Sequence, residues 1–147
     1  MHGTGVPKKN LKNVIIVYDF AHINGGQAKV AIESALLLAQ AELNVCYFAA
    51  VGPIDERLES AGIRVELLGQ MDILSEPDRK KAMVRGIWNI SARKALATLS
   101  AQFDPSETVI HCHGYAKALS PSIGLELAKS SLPTVYTMHE YFLACPN

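Results

Sequence analysis

Five short apolar runs rich in β-branched residues alternate along the chain with segments whose apolar positions recur at helical spacing. NVIIVY over residues 13–18 predicts a first strand, and the apolar-rich pattern over 27–41 a first helix. NVCYFAAV over 44–51 predicts a second strand, stopped by Gly52-Pro53. A short amphipathic helix begins at Ile54 and ends at Gly62, which sits where a C-capping glycine belongs. IRVELLG predicts a third strand, and a polar loop over 70–77 leads into one long helix over 78–102. The apolar face of that helix reads Val84, Ile87, Trp88, Ala95 and Leu99. A fourth strand over 107–113 ends at Gly114. Ser120 and Pro121 then read as the N-cap and first position of a helix running to about residue 130. PTVYTMHE, after Pro133, predicts the fifth strand. Residues 1–12 are polar and read as a flexible N-terminal segment. No repeat, low-complexity tract or linker interrupts residues 13–147.

Strands alternating with helices predict an α/β fold: a Rossmann-like, doubly wound parallel sheet in three α/β/α layers. Its strands are buried on both faces, which is why they read as apolar runs rather than alternating ones. Right-handed crossovers favour the order 3-2-1-4-5, which makes the first and fourth strands neighbours across the switch point. Ligands in such sheets bind there, outside the carboxyl ends of the strands. The first strand leads to Gly25-Gly26, the fourth to His113-Gly114 and the fifth to His139-Glu140. Adjacent glycines cost backbone entropy, so the pair needs a reason. Either the turn requires positive φ, or something outside the chain approaches this backbone closely. The helix that follows points its free N–H groups at the same crevice, a ready anion site.

Composition removes several classes of function. At 147 residues the chain fits one domain with a real core. Lys and Arg (14) balance Asp and Glu (14), so no general attraction draws the chain to nucleic acid, and no nucleic-acid partner is expected. No apolar run reaches the roughly 20 residues of a bilayer span. The polar start reads as no signal peptide. Three cysteines make no disulfide framework, and Cys46 and Cys112 read as reduced packing residues within strands. These features place the chain in the cytoplasm. G-x-G-x-x-G, an acidic residue closing the second strand, and the Walker A pattern are all missing, which argues against NAD and P-loop chemistry. His111, Cys112, His113 and His139 raise a zinc reading, but no C-x2-C or H-E-x-x-H spacing supports it and no metal is expected.

Four stretches together resemble the amino-terminal domain of family 4 glycosyltransferases, enzymes of the GT-B fold. GGQAKVAIESALLLAQ resembles that family's GG-x-x-(R/K)-V loop and helix, and VGPIDERLESAGIRVELL its second-strand exit and AGI-x-V third strand. VIHCHG resembles its H-x-H-G segment, and PTVYTMHEYFLACP its P-x-V-x-T-x-H-(D/E)-Y segment. The resemblance implies a retaining enzyme that moves a sugar from a nucleotide-diphosphate donor to an acceptor without an obligatory metal or cofactor. It further implies that 13–147 form the acceptor-side domain. The carboxy-terminal nucleotide-sugar domain, with its E-x7-E signature, is absent from this sequence, so the chain reads as truncated and dependent on that domain in cis or in trans. The isolated chain is therefore expected to be inactive.

Carried over by residue, the resemblance makes His139 the catalytic position beside the donor sugar. Gly25, Gly26 and Lys29 match the loop at the donor phosphates and acceptor; Lys29 reads equally as a solvated helix residue. His113 and Gly114 match the second histidine and the glycine of H-x-H-G, while His111 lies deeper as a hydrogen-bonded core residue. Tyr115 either stacks on an acceptor ring or packs, and Glu140 follows the family pattern. A non-catalytic carbohydrate- or partner-binding module stays open as the alternative. Arg79, Lys80, Lys81, Arg85, Arg93 and Lys94 gather on the predicted long helix. They leave a weak peripheral contact at the inner membrane face open beside the plain reading of a solvated surface.

Overall fold

The computed structural model describes residues 10–139. At its centre is β1 (Asn13–Val17), buried from Val14 onward. It pairs in parallel with β2 (Asn44–Ala49) on one side and β4 (Thr108–Cys112) on the other. β3 (Arg64–Leu67) extends the sheet beyond β2, and β5 (Thr134–Tyr136) beyond β4. The order is therefore β3-β2-β1-β4-β5, the doubly wound arrangement predicted from the alternation. Register sets Ile15 beside Cys46 and Ile110, and Val17 beside Phe48 and Cys112.

Helices cover both faces. α1 (Gly26–Gln40) buries Ala28, Ala31, Ile32 and Ala35, spaced three and four apart, against Val14, Ile16, Tyr18 and Tyr47. Three alanines in that stripe let the helix lie close to the sheet. α2 (Glu56–Ser60) adds Leu58 to the same layer. Asp55 caps it, and Gly62 follows at φ +70°, as a helix-ending glycine should. On the opposite face Ile15, Val17, Phe48 and Ile110 pack with Ala92, Leu96 and Leu99 of α4 (Ile90–Ser100) and Ile123 of α5 (Ser122–Lys129). Each fully buried valine, leucine, isoleucine or phenylalanine among them contributes roughly 1.5–3 kcal/mol. Cys46 and Cys112 lie in this layer as free thiols, 2% and 0% exposed, and burial pushes their thiols up to about 11 and about 12. No helix among the described residues is long and apolar enough to cross a membrane.

Three predicted elements differ. β5, expected to run to His139, stops at Tyr136 and is exposed as an edge strand at Thr134 and Val135. The long helix over 78–102 is two helices, α3 (Arg79–Ile87) and α4, separated at Trp88 and Asn89. Asn89 ends the helical run because it is worth more as a cap: its side-chain oxygen accepts the Ala92 N–H, and its amide donates to Gln70 Oε1 and to the Ala118 carbonyl. The expected common apolar face is consequently split. Leu99 is buried and Ala95 half-buried, but Val84, Ile87 and Trp88 are exposed. The helix expected from Ser120-Pro121 starts one residue later, at Ser122, with Pro121 as N-cap. Ser120 takes φ 75°, and its hydroxyl still accepts the Ser122 N–H.

Candidate functional site

The carboxyl ends of β1, β4 and β5 meet at the switch point, and an acidic residue ties two of the strand exits together. Asp19 follows β1 and is 2% exposed. Its carboxylate accepts the backbone N–H groups of Lys117, Ala118 and Leu119 at 3.0, 2.9 and 2.8 Å. Its carbonyl accepts from Ala50 and Val51 on the β2 side. Burial pushes this carboxyl upward, and the three N–H bonds and the Lys117 charge oppose that shift. Asp19 thus fixes the loop after β4 against the end of β1. The sequence signal was a lone carboxylate in the apolar stretch VYDFA, where charge is tolerated only with partners.

Three histidines gather along the β4–β5 side. β4 carries His111 and leads directly into His113, so period-two alternation places both on one face of the sheet. Their ring centroids are 4.1 Å apart. His111 Nε2 lies 2.7 Å from Thr137 Oγ1, the hydrogen bond expected of it, but His111 is only half-buried. His113, 2% exposed, is the deeper of the two, because it enters the loop closed over by the residues after β4. The His113 and His139 rings stack at 5.3 Å, and His113 Nδ1 shares a hydrogen bond of 3.0 Å with His139 Nε2. Burial first, then the neighbouring His111 and His139, push His113 down to about 3, so this ring is neutral at physiological pH. Its Nε2 is buried without a hydrogen-bond partner among the described residues.

His113, Gly114, Tyr115 and His139 line one recess of about 30 Å³ together with Asp19, Gln27 and Lys117. That space admits a water or a hydroxyl, not a sugar ring. Gln27 and Lys117 also line an adjoining cleft of about 260 Å³ formed by Tyr18, Asn24, Gly25 and Gly26. Ala116 and Lys117 border a third, larger cavity of about 600 Å³, walled by Phe20, His22, Asp72, Ile73 and Leu74. Lys117 faces all three spaces, and sequence reasoning passed over it because nothing local marks a loop lysine.

The internal reason for the glycine pair, a turn at positive φ, does not hold. Gly25 is extended at φ 161°, ψ −178°, and the glycines in the left-handed region among the described residues are Gly62 and Gly69. A Cβ at Gly25 or Gly26 would meet nothing within 4 Å. Their bare backbone instead opens the first turn of α1 to the cleft. No side chain caps α1, whereas Asp55, Asp78 and Asn89 cap α2, α3 and α4. Lys29 is exposed on α1 and lines none of the three spaces. Tyr115 is 8% exposed, with its ring packed edge-on against Tyr136 in the core layer. Glu140 lies outside the described residues. Among the described residues no group of three or more His, Cys, Asp or Glu is arranged to hold a metal ion.

No family model matches the chain, and no curated protein matches it in sequence. In fold it is similar to a solved glycosyltransferase from Rickettsia africae ESF-5, with a TM-score of 0.57 at 17% identity. The match covers 88% of this chain and 30% of that one. At this identity the likeness is one of fold, and the chain spans under a third of that protein's length.

Proposed function

We propose that residues 13–147 form the acceptor-side, amino-terminal domain of a retaining glycosyltransferase of family 4 type, acting on a nucleotide-diphosphate sugar with a carboxy-terminal domain supplied in cis or in trans. One observation carries the reading: the His113–His139 pair and the uncapped, glycine-faced start of α1 border adjoining spaces at the switch point. The first-turn N–H groups and Lys117 suit the donor phosphates, because free N–H groups and a cation both favour negative charge. The larger cavity beside Lys117 is of acceptor size. In retaining transfer the sugar gains positive charge as the leaving phosphate gains negative charge. His139, held by His113, is the fixed dipole beside that change, with no reorganisation required during the reaction.

The test is a transfer assay on the chain joined to its carboxy-terminal domain. His139→Ala lowers turnover on the order of a hundredfold, with the melting temperature nearly unchanged. Gly26→Val obstructs the cleft and cripples transfer while the circular dichroism spectrum stays native, because a Cβ at this position meets nothing within 4 Å. The 147-residue chain alone gives no sustained transfer, since the donor half of the site lies elsewhere. Full turnover by the His139→Ala protein, or sustained turnover by the isolated chain, overturns the assignment.

A further inference from the structure

We infer that α3 is a docking element for an anionic membrane surface, an inference that stands apart from the proposed sugar transfer. α3 turns its small side toward the protein: Ala82 is buried, and Gly86 sits against Ile73. Its opposite side carries Lys80, Met83, Val84 and Ile87 outward, with the three apolar residues 60%, 61% and 65% exposed. The normal direction of amphipathicity is inverted, and Leu74 in the preceding loop is 86% exposed. Trp88, the chain's one tryptophan, closes the helix and is itself exposed.

Charge identifies the occupant. Residues 79–94 hold six basic side chains (Arg79, Lys80, Lys81, Arg85, Arg93, Lys94) and no acidic one, in a chain whose formal net charge is zero. Arg85 pairs with Glu76 and Arg93 with Glu126, and Lys81 lies 3.8 Å from Glu76. Among the described residues no carboxylate pairs with Lys80 or Lys94, so their charge remains available. A second copy of the chain would set this basic segment against itself and repel. Protein interfaces are also depleted of lysine at their centres, whereas Lys80 shares the outward strip with Val84 and Ile87. A lysine can extend its charged end to lipid headgroups while its stem joins aliphatic neighbours in the acyl boundary. A tryptophan at the edge of such a surface suits the same boundary.

Trp88 supplies its own readout. The 147-residue chain is mixed with vesicles of phosphatidylcholine alone or of phosphatidylcholine with phosphatidylglycerol, then sedimented, and tryptophan emission is recorded. Binding to the anionic vesicles, a blue-shifted Trp88 emission and release by high salt are the expected results. Lys80→Glu, which breaks no ion pair and places an acid in a first helical turn, weakens anionic-vesicle binding at least about tenfold. Ile87→Asp abolishes the blue shift at an unchanged melting temperature. Three results overturn the inference: no binding to anionic vesicles, binding that neither substitution alters, or an Ile87→Asp effect confined to oligomeric state in light scattering, which would make the strip a protein interface.

Discussion

His113 links site geometry to stability through a single proton. In the unfolded chain its ring titrates near 6.5, and in the folded chain at about 3. Between these values the unfolded chain takes up a proton that the folded chain refuses. Stability is therefore full above about pH 6.5 and falls as pH drops toward about 3. Asp19 acts with the opposite sign, because its raised carboxyl makes the folded chain the better proton binder above 3.8. Comparing His113→Gln with the parent chain isolates the histidine. The variant's melting temperature should fall less steeply between about pH 7 and about pH 4 than the parent's. Identical slopes would mean that the ring is not held neutral. The position of His113 was legible in sequence because it directly follows β4, and a strand end fixes where a side chain emerges. His139 lies three residues past the end of β5, so sequence placed it only on the same edge of the sheet. The bond between the rings was not legible, since it depends on the offset of β5 against β4. Lys29 shows the opposite difficulty: it matches the basic position of the resembled motif, but the rotation of α1 turns it to solvent.

At the scale of elements, the loop from β4 to α5 is held by one side chain. Asp19 satisfies three successive N–H groups from a position about a hundred residues earlier in the chain. Asp19→Ala leaves those donors without an acceptor, and each unsatisfied buried donor costs about 1–3 kcal/mol. The substitution should lower stability by on the order of 3 kcal/mol. In hydrogen exchange the amides of Ala118 and Leu119 should lose protection at least about tenfold relative to those of β1. Uniform loss across the sheet would instead show that the loop opens only with the whole fold. Because Lys117 belongs to this loop, the same substitution loosens the wall shared by all three spaces of the candidate site. The break between α3 and α4 was hidden for a related reason. Spacing alone lets a helix run through residue 88, and Asn89 becomes decisive only when Gln70, Ala118 and Ser120 are close enough to bond it.

Over the whole molecule, strand order was legible because few right-handed windings of five parallel strands exist, and because buried parallel strands declare themselves as continuous apolar runs. Which helices would cover the sheet was less legible, as α3 shows: its apolar residues have helical spacing, yet they face outward. Hydrophobic periodicity reports that a face is apolar and leaves open what lies against it. The two thiols of the central sheet give the folded chain a clock. Cys46 on β2 and Cys112 on β4 flank β1, and thiols this buried and this weakly acidic do not react in the native state. Alkylation must wait until the strands part, so its rate, read on the two separate peptides by mass spectrometry, times the opening of the sheet. Equal rates at both cysteines would mean that β2, β1 and β4 come apart as one unit. Earlier labelling of Cys112 would mean that the β4–β5 edge, with its histidine pair, opens while the rest of the sheet stays shut.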